Sequence, residues 1–548
     1  MKKLSISIML LVLVVLFAAC VPSKNSSTDS SSSEKSDPNG PMELKIFTPK
    51  LSYEGKFDRK ENEFTRMIEK KFNVKIDWQY VNEDAAKEKR QLSLASGDFP
   101  DAYLLVSWLD NISKVDAQKY GKEGVFIPLN DLIKDHAPNL QNLMKEIPYL
   151  EKGITAPDGN IYGLAPINEC YHCSRYGKMW INTEWLKKLN LEMPKTTEEY
   201  KTVLEAFKNN DPNGNGKKDE IPLSGESTML GDDPTIFLMN AFIPNNGKDY
   251  INVNDGKLLL GAMQPAWKDG LKYIHSLYKE GLIDQGAFTQ NPEAYKQLGT
   301  PKGDVVLGAG AASHLAIITD IKIDAAKQYD VVPPLKGPDG AQFTPSDYGN
   351  VNSFSFAITN KAKGKKAEVL MKIADYLYSE EGTMLSTRGK EGVNWKKGGP
   401  EDIDLTGKQA KYAFIPQDPN KKDVGEFGWG ERGPLALTRE LRDSLATEKD
   451  ELSPKGYERR LYNATLKYDG FEPKEQFNFE AAWVSPKDAE EVALLKININ
   501  KYIEENMVQF VTGSKDIEKD WDKYVDGFKA LQVERYLEIY QKAYDLGK

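Results

Sequence analysis

From residue 43 onward, short apolar runs of period two alternate with longer stretches whose apolar period is near 3.6. Leu44 and Ile46, with Phe47, predict a first strand, and Phe64, Met67, Ile68 and Phe72 mark one face of a helix. Val74, Ile76, Trp78 and Tyr80 alternate as a second strand. Residues 83–95 predict a helix closed by Gly97, and 102–106 a third, apolar strand. This βαβαβ rhythm predicts an α/β lobe with a largely parallel sheet.

A second α/β region follows. Residues 179–181 form a short apolar strand, and Thr196–Glu199 (T-T-E-E) fits a capping box ahead of a helix with Tyr200, Val203, Leu204 and Phe207 on one face. Residues 266–280 predict another amphipathic helix, and 351–359 a strand leading into a helix over 365–378. The end of the chain is helical over 499–510, 521–531 and 535–544. Residues 396–434, rich in Gly, Pro, Lys and Asp, predict a long irregular excursion. At 548 residues the chain is too long for one compact core, so at least two lobes are expected.

The N-terminus has a different pattern. Lys2 and Lys3 precede an almost unbroken apolar run from Leu4 to Phe17, too short for a membrane span of roughly 20 residues and laid out as a secretory signal. Its ending, Leu16-Phe17-Ala18-Ala19-Cys20, resembles the lipobox of bacterial lipoproteins, in which the cysteine is acylated and becomes the new N-terminus; Phe17 stands where Leu, Val or Ile is more usual. Residues 21–40 are Ser-rich with almost no apolar content and are expected to act as a flexible tether. No later stretch is long and apolar enough to span a bilayer, so a soluble body anchored at a membrane surface is expected.

Composition narrows the partners. With 40% hydrophobic and 28% charged residues the chain is an ordinary globular protein. Its net charge of -9 becomes -11 once residues 1–19, with two lysines and no acids, are removed. No basic stripe is present, so a nucleic-acid partner is not expected. The two remaining cysteines, Cys170 and Cys173, stand in the sequence CYHC. Outside the cytoplasm a disulfide, or a pair of free thiols, fits better than a metal site with His172, which would need further ligands not evident nearby.

Three segments carry a family resemblance. Ala95-Ser96-Gly97-Asp98-Phe99-Pro100-Asp101, Met179-Trp180-Ile181-Asn182-Thr183-Glu184-Trp185-Leu186 and the terminal Tyr536–Asp545 resemble extracellular solute-binding family 1, within its LplA-like and alginate-binding subgroup. The resemblance implies a two-lobed, type II periplasmic-binding-protein-like fold, with hinge segments joining the lobes and ligand in the cleft between them. By that analogy residues 42–165 plus 352–398 form lobe 1, and 166–351 plus 399–548 form lobe 2. Closure around a ligand by hinge motion, and delivery to the permease subunits of an ABC importer, are implied with it.

The strongest chemical motif is Asp211-Pro212-Asn213-Gly214-Asn215-Gly216-Lys217-Lys218-Asp219-Glu220. Oxygen ligands at positions 1, 3 and 5, Gly at 6 and a carboxylate at 9 reproduce the start of an EF-hand loop. Lys217 would offer only its backbone carbonyl. Position 12 is Pro222, so Glu220 is the expected substitute for the usual bidentate Glu. Alginate-binding relatives are similar here, which implies a structural Ca2+. A polar Asn/Gly turn without metal is the alternative.

Sugar sites combine aromatic faces with polar groups that fix the hydroxyls, and nine Trp and 26 Tyr supply the former readily. Trp78, Trp185, Trp267 and Trp521 lie on periodic apolar faces and are assigned to packing. Trp108, after the third strand, Tyr348, Trp395, Phe427 and Trp429 in a Gly-rich loop, and Trp483 before a helix are the candidate ligand-binding aromatics. Arg175 is a candidate partner for a uronate carboxylate or, equally, a member of a surface salt bridge. A monomeric oligosaccharide-binding protein is the leading expectation, with an acidic plant-type glycan among the candidates. A surface-anchored polysaccharide-active enzyme and a binding protein for peptides or other solutes are the alternatives. The chain has no H-E-x-x-H, G-x-S-x-G or Walker A motif, and its four His are widely separated.

Overall fold

The computed structural model describes residues 40–51, 62–300, 303–347, 349–416 and 427–547. The signal segment, Cys20, nearly all of the tether and Tyr348 lie outside them. Eight strands build two main sheets: β1 (Met42–Lys50), β2 (Val74–Asn82), β3 (Ala102–Leu104), β4 (Met179–Asn182), β5 (Ile221–Ser224), β6 (Leu307–Ala311), β7 (Tyr329–Val332) and β8 (Phe356–Ile358).

The first sheet has the order β8-β3-β1-β2. β1 and β2 run parallel, Met42 opposite Val74 through to Lys50 opposite Asn82, and β3 lies parallel on the other side of β1. The helix Glu63–Phe72 links β1 to β2. Asn62 caps it by accepting from the Thr65 N–H, and Asn73 closes it in the left-handed conformation at φ 52°. That crossover length is what a parallel pair requires. β8 arrives from far along the chain and pairs antiparallel with β3. The stretch expected as one strand over 351–359 is two: Ser353–Phe354 pairs with Ile112–Ser113, and β8 with β3.

The second sheet has the order β7-β4-β6-β5. β4 is antiparallel to both neighbours, and β6 runs parallel to β5. Trp180 and Trp185 are buried on it with Leu204, Phe207, Trp267 and Leu271. The C-terminal helices Pro486–Thr512, Ile517–Ala530 and Val533–Leu546 close the same core through Ile499, Phe510, Trp521, Phe528 and Tyr536. No helix among the described residues is long and apolar enough to cross a membrane.

The lobe boundaries differ from those the resemblance implied. Residues 429–441, expected in lobe 2, pack with the first sheet: Trp429 and Ala436 enter its core, and Leu435, Leu437 and Leu441 join Met384 and Trp395 in a small cluster beside it. Ala436–Leu437 pairs in parallel with Ile167–Asn168, and the Arg432 guanidinium donates to the Pro49 carbonyl. The chain rejoins the second core from Tyr457. It therefore passes between the lobes three times, over roughly 167–179, 335–351 and 441–457. The excursion over 396–434 also carries order, a ribbon pairing Trp395–Lys397 with Tyr412–Phe414.

Candidate ligand cleft and metal loop

The crossings meet beside a cavity of about 430 Å3. Trp108, Ser107, Tyr149 and Asn352 of the first lobe line it, with Asn168, Glu169, Cys173, Ser174 and Asn350 of the crossings and Glu480 of the second lobe. Trp108 is 60% exposed, the reverse of what a core tryptophan shows. Its turn is held from beneath. Leu109 and Asp110 both donate their N–H to the Val106 carbonyl, and the buried Arg90 binds both carboxylate oxygens of Asp110 at 3.0 and 3.1 Å. Arg90 also donates to the Asn111 carbonyl at 2.8 Å. A buried bidentate pair fixes geometry strongly because either partner alone would be an uncompensated charge.

Polar groups around the cavity are also cross-linked. Glu169 accepts from the Tyr149 hydroxyl and the Arg439 N–H, both at 2.9 Å. Lys248 reaches Asp347 at 2.6 Å and Glu480 at 3.5 Å. Burial alone would lower the Lys248 pKa, but these two carboxylates outweigh it and hold the ammonium above its usual range. Asn478 donates to Asp347 and Asn352 at 3.0 and 3.2 Å. Cys170 and Cys173 form a disulfide, Cα atoms 5.3 Å apart, whose residues are part of the cavity wall. Their sulfurs are thus bonded to each other rather than free for a metal, and His172 faces Glu458 at 3.4 Å. Lys178 pins this loop from below by donating to the carbonyls of His172, at 2.7 Å, and Arg175.

Of the residues singled out from sequence, Trp108 alone among the described aromatics stands in this cavity. Trp429 is 1% exposed: its indole N–H donates to Thr65 Oγ1 at 2.9 Å and its ring meets Phe64 and Trp78 edge-on. Phe427 is half-buried against Phe64. Trp395 is buried on Tyr412, with its N–H on the Gly389 carbonyl at 2.7 Å. Trp483 packs on Phe354 under the Lys114 ammonium. Arg175 is buried and committed to Glu472, to Ser346 at 2.8 Å and to Asp469 at 3.6 Å, which leaves its charge neutralised away from the cavity. Tyr348 lies outside the described residues, between Asp347 and Gly349, both of which line the cavity. Sequence reasoning missed Tyr149, Glu169 and the two asparagines; the polar run Asn350-Val351-Asn352-Ser353 next to a hinge strand was their available signal.

The metal loop follows the helix Thr197–Asn209, whose cap Thr196 accepts from the Glu199 N–H at 3.1 Å while Glu199 reaches back to the Lys195 N–H at 2.7 Å. Asp211 accepts from the N–H groups of Gly214, Asn215 and Gly216 at 3.0 to 3.2 Å, curling the loop around its carboxylate. Gly216 takes the positive φ, 73°, that this curl needs. Asn213 and Asn215 both donate to Asp219, and the Asn213 hydrogen bond holds that carboxyl below its usual range. Glu220 differs. Its Oε1 is buried with no hydrogen-bond partner among the described residues, and burial raises its pKa with the Asp211 and Asp219 charges adding to the effect. Three carboxylates, two amide oxygens and the Lys217 carbonyl make a hard, all-oxygen donor set of the size Ca2+ takes. The orphaned Glu220 oxygen fits a cation in the same place.

Comparison with known proteins agrees with this architecture. Residues 57–384 match the family model for bacterial extracellular solute-binding proteins. FusA of Streptococcus pneumoniae, a fructooligosaccharide ABC transporter substrate-binding protein, is 31% identical over 505 residues, 89% of this chain and 87% of its own. A solved structure of FusA, an EF-hand mutant in complex with fructo-nystose, matches with a TM-score of 0.68 and 30% identity over 92% of this chain and 99% of that one. YtcQ of Bacillus subtilis, a polygalacturonan/rhamnogalacturonan-binding protein, is 27% identical over 408 residues, 73% of this chain and 76% of its own. An extracellular solute-binding protein of Bifidobacterium longum subsp. infantis shares the fold, with a TM-score of 0.76 at 22% identity over 93% and 99% of the two chains. With residues 57–384 inside the family model and the periplasmic-binding-protein-like fold around the cleft, the chain belongs to the bacterial extracellular solute-binding proteins.

Proposed function

We propose that this protein captures an oligosaccharide outside the cytoplasm and passes it to the permease of an ABC importer, anchored to the membrane by a lipid on Cys20. The observation that carries this reading is the exposed Trp108 ring in a polar cavity between two lobes. An aromatic face stacks on the C–H face of a pyranose or furanose while Glu169, Asn350 and Asn352 take its hydroxyls. The carbohydrate ligands of FusA and YtcQ support the same class. Closure follows from geometry: the cavity takes walls from both lobes, so ligand favours the arrangement in which both touch it.

A structural Ca2+ is part of the proposal. Asp211, Asn213, Asn215, Asp219, Glu220 and the Lys217 carbonyl would hold it; none of them lines the cavity, so the ion would neutralise the loop and serve stability. The protein acts as a monomeric carrier and does not turn its ligand over.

The test is thermal unfolding of residues 41–548 with calcium present, against fructan, pectic, algal and host oligosaccharides. A ligand that binds only the folded state raises Tm as its concentration exceeds Kd. The expected result is a shift with one saccharide class, lost in Trp108→Ala, with the saccharide recovered intact by mass spectrometry. A flat panel overturns the saccharide reading in favour of peptides or other solutes. Cleavage of any saccharide overturns the carrier reading.

A further inference from the structure

The first passage between the lobes changes partners within a few residues. Up to Glu169 it belongs to the first lobe: the Ile167 and Glu169 N–H groups donate to the Leu435 and Leu437 carbonyls at 2.8 and 2.9 Å, and Glu169 accepts from the Tyr149 hydroxyl. From Tyr171 it is held by the second. The Tyr171 hydroxyl donates to Asp469, its ring lies 5.2 Å from that of Tyr462, and His172 faces Glu458 at 3.4 Å. Arg175 is bound to Glu472, and the Met179 N–H donates to the Tyr468 hydroxyl at 3.1 Å. Tyr171 keeps one contact on the other side, with the Arg439 guanidinium 3.9 Å from its ring centre.

The hand-over thus falls at Cys170-Tyr171-His172-Cys173, and the disulfide closes that segment on itself. A pivot between two bodies works through backbone torsions in the few residues that join them. Here the torsions of Tyr171 and His172 are enclosed in a covalent ring. The other two passages contain no cysteine, so this is the one that chemistry at sulfur can alter.

Access to the bond is one-sided. Both cysteines line the Trp108 cavity, as do Glu169 and Ser174 on either side of them, so the ring also shapes part of the wall. Cys170 is 9% exposed, whereas Cys173 is open to solvent. A thiolate arriving through the cavity therefore meets the Cys173 sulfur first.

We propose that the Cys170–Cys173 disulfide is a reducible staple on the hinge: oxidised, it holds the wall of the saccharide cavity in its binding shape, and reduction by a dithiol frees the passage and weakens capture. The proposal rests on the saccharide reading above and adds its regulation. One thiolate of the dithiol attacks Cys173 Sγ, the S–S bond breaks, and Cys170 Sγ leaves as a thiolate that takes up a proton. The second thiolate of the dithiol then attacks its partner sulfur in the mixed disulfide, and Cys173 leaves likewise. The dithiol ends as a disulfide, and its two electrons and two protons rest on the cysteine pair. Linkage requires the converse effect: bound saccharide favours the oxidised form by the factor through which reduction weakens binding.

The experiment uses wild type and Cys170→Ser/Cys173→Ser, with calcium present and the fructan, pectic, algal and host oligosaccharides as probes. Calorimetry measures affinity in oxidised wild type, in wild type reduced with dithiothreitol and in the double variant. Alkylation and mass spectrometry time the reduction with and without saccharide, and circular dichroism follows folding. Reduced wild type and the double variant are expected to bind about fivefold or more weakly than oxidised wild type. Dithiothreitol is expected to leave the double variant unchanged, and saccharide to slow reduction of wild type. If the double variant does not fold, reduced wild type carries the test alone. Affinities within twofold in the oxidised and reduced proteins overturn the staple, as does reduction at one rate with and without saccharide; both leave the saccharide reading standing. Unfolding of wild type on reduction, or resistance of the ligand-free disulfide to dithiothreitol, also overturns it. Failure of every saccharide to bind oxidised wild type overturns both readings.

Discussion

The Lys114 ammonium lies 4.8 Å from the centre of the Trp483 ring and donates to the Ala481 carbonyl at 2.6 Å. Lys114 begins a helix of the first lobe, whereas Trp483 leads into the long helix Pro486–Thr512 of the second. The pair joins the lobes beside the cleft, with Phe354 6.1 Å from the same indole. Burial draws the Lys114 pKa down to about 7, so the contact is made by a lysine that has given up most of its water. Trp483→Ala is expected to lower Tm by several degrees while changing saccharide affinity less than twofold. Calorimetry on the folded variant checks this, and a large affinity loss without destabilisation would return Trp483 to the ligand site.

Trp108 and Trp429 make a contrasting pair. Trp108→Ala removes an exposed platform, so affinity is expected to fall roughly ten- to a hundredfold, the range of an aromatic hot spot, with Tm of the ligand-free protein unchanged. Trp429→Ala empties a core and breaks a buried hydrogen bond, which is expected to cost about 3–5 kcal/mol of stability. Denaturant unfolding and ligand titration of both variants separate the two roles.

Chelation tests the metal loop. A cation bound only by the folded state at a hundred times its Kd adds about 2.7 kcal/mol. EDTA is therefore expected to lower Tm clearly, and added Ca2+ to restore it. Asp211→Ala should abolish the response, and Glu220→Gln should weaken it. An unchanged melting temperature after chelation removes Ca2+ from the account of this protein.

Asp232 gives a pH signature. It is 1% exposed, and burial pushes its carboxyl from 3.8 up to about 7, offset in part by the Ser313 N–H and reinforced by the Glu226 charge. Between those two values the folded state holds a proton that the unfolded chain has released, so the Asp232 contribution to stability grows as pH falls from 7 towards 4 and is lost as pH rises through 7. Asp232→Asn, which keeps the acceptor for Ser313, is expected to raise Tm at pH 8 and to flatten its dependence over that window. Melting curves from pH 4 to 8 on both proteins decide it.

The periodic segments were readable because burial follows period. Val74, Ile76 and Trp78 lie on the buried face of β2, and Tyr200, Val203, Leu204 and Phe207 are buried on one helix. Trp78, Trp185, Trp267 and Trp521 are core, as their spacing implied. The Gly-rich stretch around Trp429 misled for a physical reason. A Cβ on Gly428 would lie 2.0 Å from the Ser386 carbonyl oxygen, so that glycine permits backbone to press on a helix. Exposure and close approach draw the same residue type, and one sequence does not distinguish them. Arg175 posed a similar problem, since its neutralisation depends on a carboxylate nearly 300 positions away in the chain. The candidate metal loop could be named from sequence because its candidate ligands, Asp211 to Glu220, are contiguous.

The three passages between the lobes bear on how such a chain acquires its fold. Emerging from its N-terminus, it presents β1, β2 and β3 more than two hundred and fifty residues before β8, and the first core still lacks Trp429 and Ala436. The second core waits for Tyr536 and Ala543, almost at the last residue. Neither half can close early, and both depend on partners of high sequence separation, which slows collapse to the native state. A polypeptide arranged in this way is expected to stay open to threading until residues 533–546 join the second core.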